Sequence, residues 1–334
     1  MSQADTVLEL IGARRRDEAV RLARSLAQDA GLAAAVALLA AVQQKVGRLW
    51  QQNEWTVADE HAATAIADLA LAAACFDAER RPGARAGTVV VACAEEEWHV
   101  LPARMFAEQL RAAGWEVVFL GASTPAEHLR RFLAADPPTA AALSCTVPLH
   151  LPGALRAVAG CHAASVPVLA GGAAFGTAPN RAAAIGADAW APTPQHAAAI
   201  LTRWASNPPP LAVPLVDDGP ALAVAAERPL IVERAMSMLA RRFPPLAHYT
   251  SQQLARTQED LSCIIQFVEA SLLAADDTII TDFADWLTSI LAARGLPDGI
   301  VALGAGVLRD WMPTGLTQAS QLLTIMKTYS EKGN

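Results

Sequence analysis

A change of hydrophobic rhythm near Ala86 constrains this chain more than any other feature. From there to Ser206, short apolar runs alternate with amphipathic ones. Residues 88–92, 116–120, 139–144 and 166–170 read as strands. Helices are predicted over 101–113, 125–135 and 195–206, with another from Pro152 and short elements around 185–190. Apolar strands separated by helices predict a parallel sheet covered on both faces. Ligands of such sheets sit beyond the carboxyl ends of the strands, so chemistry is expected in those loops.

Both flanks of this unit (86–206) are helical. Leu8, Ile11, Val20, Leu22 and Leu26, then residues 32–50, recur at helical spacing. Residues 53–55 break the pattern, and Thr56 with Asp59 is a variant of the capping box that starts a new helix. About four helices fit before Arg80-Arg81-Pro82-Gly83, which predicts a small bundle over 1–82. On the other side, Asn207-Pro208-Pro209-Pro210 opens a Pro-rich stretch read as a linker over 207–227. A third unit, 228–330, is read as helices over 230–242, 251–273, 276–293, 297–311 and 316–329, long enough for its own core. The expected fold class is α/β plus all-α: a four-helix bundle, a Rossmann-like parallel sheet and a helical domain.

Composition narrows the function classes. Hydrophobic residues make up 53% of the 334 and charged residues 18%, as in a folded, helix-rich chain. The balance of 26 Lys+Arg against 33 Asp+Glu gives −7, which opposes unaided binding to nucleic-acid phosphates. The longest nearly apolar run, 30–42, falls short of the roughly 20 residues a bilayer needs, and no secretory start is read. Cys75, Cys93, Cys145, Cys161 and Cys263 are scattered without a Cys-x-x-Cys pair, so reduced thiols and a cytoplasmic location are expected.

The loops after the strands hold a spaced constellation. Glu97-Trp98-His99-Val100-Leu101-Pro102 is followed after 41 residues by Ser144-Cys145-Thr146, and after 24 more by Gly171-Gly172. A carboxylate two residues before a histidine can hold one ring nitrogen while the other binds a metal. Glycines there allow a close approach or a positive φ. The pattern resembles the cobalamin-binding domain shared by B12-dependent mutases, methyltransferases and photoreceptors. That family's signature is Asp-x-His-x-x-Gly, Ser-x-Leu/Thr and Gly-Gly at these distances. This chain departs from it at Glu97 and Pro102. The resemblance implies His99 as lower axial ligand of cobalt, in place of the cofactor's benzimidazole base, with Glu97 orienting it and Trp98 flanking the corrin. Ser144 would hydrogen-bond the displaced tail with Thr146 beside it, and Gly171 and Gly172 would leave the tail room.

Trp50, nine residues and Glu60-His61 is similar to the Trp-x9-Glu-His motif of light-responsive B12 repressors. There the bundle caps the upper corrin face and shields an adenosyl group. The other reading makes Trp50 a core anchor and Glu60-His61 a solvated pair. Those repressors have a histidine directly after the Trp; here Gln51 stands there, so ligation through that position is not expected.

The third unit looks like a globin- or phycobiliprotein-like sensor fold, most of all over 249–273 and Asp282-Phe283-Ala284-Asp285-Trp286-Leu287. The whole order resembles the photocobilins, photoreceptors that combine B12 with biliverdin. A bilin would want Arg234, Arg241, Arg242 or Arg256 for its propionates and Asp260 for its pyrrole N–H groups. His248 and Tyr249 would contact the rings, and Cys263 could form a thioether. Solvated arginines and a core cysteine are the plain alternatives, and a haem on His248 is a rival. The resulting expectation is a non-enzymatic photoreceptor binding adenosylcobalamin and biliverdin. It would signal by light-driven Co–C cleavage to an effector protein or a second copy, without direct contact with nucleic acid or membrane. The alternatives are a corrinoid carrier of a methyltransferase system and a cobalamin module with a haem-binding globin-like domain.

Overall fold

The computed structural model describes residues 2–76 and 87–332. The break at 80–83 and the bundle boundary at 82 lie outside the described residues. The chain opens with α1 (Gln3–Gly12), α2 (Arg16–Ala30), α3 (Leu32–Gln51) and α4 (Val57–Phe76). The expected capping box starts α4: Thr56 N–H donates to Asp59 Oδ2 at 3.1 Å, and Asp59 N–H to Thr56 Oγ1 at 3.2 Å. Helix α3 outruns the apolar run read from sequence and is long and apolar enough to cross a bilayer. Here it is the core helix of a bundle, with Ala35, Leu39 and Val42 fully buried and α2 and α4 packed on it.

The alternating unit forms β1 (Thr88–Cys93), α5 (Val100–Ala112), β2 (Glu116–Gly121), α6 (Ala126–Ala135) and β3 (Ala140–Ser144). It continues through α7 (Leu151–Ala163), β4 (Val168–Gly171), α8 (Asn180–Ala184), β5 (Ala189–Trp190) and α9 (Pro194–Ser206). All strands are parallel, in the order β2-β1-β3-β4-β5. The order reverses between β1 and β3, which opens a crevice at their carboxyl ends. Val89, Val91 and Cys93 face α5 and α9, while Val90 and Ala92 face α6 and α7. Burial on both faces explains why the strands read as unbroken apolar runs. The bundle sits on α5: Leu101 and Met105 join Leu39, Ala67 and Leu71, and Arg104 Nη1 grips both oxygens of Asp68 at 2.5 and 2.6 Å.

The third unit has five long helices among the described residues: α10 (Gly219–Arg242), α11 (Ser251–Ala274), α12 (Thr278–Ala293), α13 (Ile300–Asp310) and α14 (Thr317–Lys332). The linker read as 207–227 is corrected here, since α10 begins at Gly219 and runs through Pro229. A proline inside a helix costs about 3 kcal/mol. The apolar face of Ala221, Val224, Ile231 and Val232 is buried on both sides of Pro229 and carries the helix through. The extended part is pinned as well. Ala212 N–H donates to buried Asp188 at 2.6 Å, and Leu215 N–H to the Ala184 carbonyl at 3.1 Å.

A separate core for the third unit is also corrected, because its apolar residues run on without a break into the α6–α7 side of the sheet. Helix α11 lies on α7, α8 and a 3₁₀ turn at Pro148–His150. Buried Arg181 clasps the joint, its Nε donating to Asp276 at 2.7 Å, Nη2 to Thr278 at 3.0 Å and Nη1 to the Ala174 carbonyl at 3.1 Å.

Glu269 on α11 is buried with Arg228 at 3.2 Å. Burial pushes its carboxyl from 4.5 up to about 7, against the pull of Arg228. Between those values the folded chain keeps a proton that the unfolded chain releases, so stability should fall as pH rises across that window. Denaturant unfolding at a series of pH values should show this slope in the wild type and lose it in Glu269→Gln. A slope unchanged in the variant would remove Glu269 as its cause.

Candidate functional site

Strand β1 ends beside β3, where Ala94 N–H donates to the Ser144 carbonyl at 2.9 Å. The next turn carries Glu96 at φ +68° and is braced by the loop after β2. Glu96 N–H donates to Ser123 Oγ at 3.1 Å, and Ser123 N–H to the Glu97 carbonyl at 3.0 Å. The Glu97 side chain that this turn directs inward has 0% exposure.

One Glu97 oxygen accepts the His99 backbone N–H at 2.9 Å and its ring Nδ1–H at 2.6 Å. The other accepts the N–H groups of Thr146 at 2.7 Å and Val147 at 3.1 Å, in the loop after β3. Burial pushes this carboxyl up; the hydrogen bonds from His99 and Thr146 outweigh it and hold it at about 2. A carboxylate with four donors fixes the imidazole in the Nδ1–H tautomer and leaves Nε2 turned away from it with its lone pair free. The hydrogen bond to Glu97 raises the pKa of His99, with burial opposing. His99 is itself exposed, one residue before α5. Trp98 beside it is 72% exposed.

The rest of the constellation gathers at the same strand ends. Ser144 closes β3, and the Thr146 hydroxyl is buried with no hydrogen-bond partner. Such an atom costs about 1–3 kcal/mol unless something polar reaches it. His150, which the motif did not include, ends the 3₁₀ turn with a buried, unpartnered Nδ1. Burial lowers its pKa, and the charges of Glu97, Glu96 and His99 act on it. The two glycines differ. A Cβ on Gly171 would meet only the Ala191 carbonyl at 3.7 Å, whereas Gly172 sits at φ +104° with the Cys145 carbonyl 2.3 Å from where a Cβ would stand. Gly172 is thus a close crossing of two loops, not added room, while Gly171 leaves space.

The bundle faces this site. Glu60 on α4 raises the His99 pKa through space, and His61 lies 3.6 Å from Glu60. The Trp50 ring does not stand alone. Trp286 of α12 lies 6.1 Å from it between centroids, and the Arg294 guanidinium 5.4 Å from its centroid. Gln51 Nε2 donates to Ser289 at 3.0 Å. Sequence reading singled out the stretch around Trp286 but had no means of pairing it with Trp50.

The bilin candidates divide into two sets. Arg256, Asp260 and Cys263 share a face of α11, where Arg256 and Arg294 act on Asp260 through space. Arg241, His248 and Tyr249 lie around the end of α10, with Tyr249 edge-on to Phe243 at 6.3 Å. No hydrogen bond or ion pair among the described residues joins the two sets. Arg242 pairs with Asp310 at 2.9 Å, and Arg234 lies over Trp311 at 5.3 Å. Burial pushes the Cys263 thiol up to about 12, the wrong direction for a nucleophile that forms a thioether.

Cobalamin fits the residues at the strand ends: an oriented imidazole, an unpaired buried hydroxyl and an open Gly171. Cobalt held in a corrin ring would need one further nitrogen from the protein, which the His99 imidazole would supply. The glycine geometry is testable by unfolding of the two alanine variants. Gly172→Ala should lose about 2–3 kcal/mol of stability through strain and contact, Gly171→Ala no more than about 0.5. Equal losses would contradict the distinction.

Two family models of a B12 binding domain match this chain, one over residues 87–200 and one over residues 3–74. A search of curated proteins finds no match. Among solved structures, the monomethylamine corrinoid protein of Methanosarcina barkeri is 19% identical with TM-score 0.51, covering 59% of this chain and 96% of that one. A cobalamin-binding protein from Desulfitobacterium hafniense DCB-2 is 19% identical with TM-score 0.33, covering 60% and 98%. The methanol:cobalamin methyltransferase complex of Methanosarcina barkeri is 16% identical with TM-score 0.34, covering 62% and 80%. The first of these shares the fold. Residues 3–74 and 87–200 are B12-binding domains, and this chain carries a cobalamin-binding Rossmann-like sheet under a four-helix cap.

Proposed function

We propose that this protein is a cobalamin-dependent regulator that responds to light, with adenosylcobalamin held between cap and sheet. The observation that carries this reading is the grip on the cap tip, where Trp286, Ser289 and Arg294 meet Trp50 and Gln51. A carrier has to offer its cobalt to a second protein, and a cap fastened by the same chain opposes that. A regulator needs a cap whose fastening can change.

In this reading His99 Nε2 would be the residue that holds cobalt, Glu97 would keep the imidazole turned, and the Thr146 hydroxyl would take a polar group of the cofactor. Adenosylcobalamin supplies a cobalt–carbon bond that light breaks. The chain's part is to hold Trp50 over the upper face in the dark and to let the cap shift when the bulk beneath it is gone. The signal then passes by contact to a second copy or an effector protein. The same reading puts biliverdin against the α11 face of Arg256 and Asp260, without a covalent bond because Cys263 stays protonated.

The second reading is a corrinoid carrier for methyl transfer. Its support is the fold shared with the monomethylamine corrinoid protein, and the comparisons favour it over light sensing. Protein loaded with adenosylcobalamin in the dark, then illuminated, separates the two. The regulator should change its cobalamin absorption, its tryptophan fluorescence and its hydrodynamic size. A far-red band after co-expression with biliverdin would support the bilin. No change in light, with methylcobalamin turned over in the dark by a methyltransferase, would establish the carrier instead.

A further inference from the structure

The extended segment before α10 runs away from the cofactor crevice. Asp188, which holds its Ala212 N–H, also accepts the N–H of Val168, the first residue of β4, at 2.6 Å. The segment thus passes the amino ends of the strands, while the crevice lies at their carboxyl ends. Farther on, Leu215, Asp217 and Pro220 form one wall of a groove of about 1160 Å³. The end of α11, with Ser271, and α14, with Gln321 and Ile325, form the others. That volume exceeds the roughly 300–1,000 Å³ of a small-molecule pocket.

The groove's chemistry limits what can fill it. Leu215 is 75% exposed and Val213 beside it 72%, although hydrogen bonds to Ala184 and Asp188 pin this backbone. Large apolar side chains held out in water by a fixed backbone mark a contact surface. Asp217 and Asp277 line the groove, both exposed and without an ion pair among the described residues. No Lys, Arg or His among the described residues lines it. Ser271 is 2% exposed, and its hydroxyl has no hydrogen-bond partner. A helical hydroxyl ordinarily bonds the carbonyl one turn earlier, as Thr202, Thr257, Thr324 and Ser330 do here. Ser271 does not, and keeps its proton and lone pairs for something else.

We propose that this groove docks a polypeptide segment of a partner protein, one that sets a Lys or Arg among aliphatic side chains. The cation meets Asp217 and Asp277, and the aliphatic groups lie on Leu215 and Ile325. The Gln321 amide and the Ser271 hydroxyl take polar groups of the segment's backbone. A second copy in two-fold pairing suits the groove less. It would bring Asp217 and Asp277 of both copies onto one face, with no base from the groove between them.

Random peptides displayed on phage and selected against the full chain test this. The enriched sequences should carry Lys or Arg beside Leu, Ile or Val, and their synthetic forms should bind less tightly as salt rises. Asp277→Lys should weaken them about tenfold through lost and reversed charge. Leu215→Ser should weaken them about fivefold through lost apolar contact. Both side chains are exposed, so neither change threatens the fold. Asp29→Lys, the same charge change on exposed α2, should leave binding as it was. Ser271→Ala should lower the affinity about fivefold, the size of one neutral hydrogen bond, while raising the unfolding midpoint of the free chain by removing an orphaned hydroxyl. Peptides that ignore the groove substitutions, an equal loss in Asp29→Lys, or enrichment of acidic or uncharged sequences would overturn the proposal. So would a failure to enrich any sequence. Self-association that Asp277→Lys abolishes would overturn it as well, because the groove would then take a second copy.

Discussion

Every part of the site hangs on one buried carboxylate. Glu97 lies at the switch of strand order between β1 and β3 and is bound to both sides of it, to His99 on one and to Thr146 and Val147 on the other. An ion buried this fully persists only when each lone pair has a donor, and here four N–H groups provide them. The same bonds that keep the group charged decide which imidazole nitrogen is free. Electrostatics, loop closure and ligand orientation are therefore one interaction. The motif leads one to expect aspartate there; the longer side chain lets one group span His99 and the β3 loop.

From this pivot the geometry extends upward and sideways. His99 is followed directly by α5, and α5 carries the cap on Leu101, Met105 and the Arg104–Asp68 pair. The cap tip in turn rests on α12 through Trp50. Helix α12 continues into the core by stacked rings, Trp286 on Phe283 at 5.8 Å and Phe283 on Phe267 at 3.7 Å. Phe267 belongs to α11, which also lies on the 3₁₀ turn at the edge of the site. One helix thus touches the loops at the strand ends directly and, through α12, the tip of the cap. Packed cores move between discrete arrangements and do not deform smoothly, and in the proposed reading a change under Trp50 would pass along these ring contacts into the third unit.

Much of this was legible in the sequence. The strands and helices of the central unit declared themselves by period, and Thr56 with Asp59 marked the start of α4 by local chemistry alone. His99 and Glu97 could be found because, with Ser144 and Gly171-Gly172 at matching distances, they resemble the cobalamin-binding signature, and all three pieces sit at strand ends. What stayed hidden depends on contacts far apart in the chain. No local pattern says that Trp286 meets Trp50 or that Arg181 reaches Asp276. Pro229 reads as a breaker because its cost is local and the burial that overrides it is not. Gly171 and Gly172 look alike as letters and differ only in what stands 2.3 Å away. The candidate bilin residues suit a bilin by type, and type alone does not show that they lie in two separate sets.

In the proposed function His99, turned by Glu97, is the protein's ligand to cobalt. Electron paramagnetic resonance of the cob(II)alamin-loaded protein tests it most directly, because the axial nitrogen splits the cobalt lines. With nitrogen-15 histidine in the chain, the expected result is a triplet splitting that becomes a doublet, lost in His99→Ala. A splitting that stays a triplet on histidine labelling would mean that the cofactor's own base remains bound, and would contradict the account.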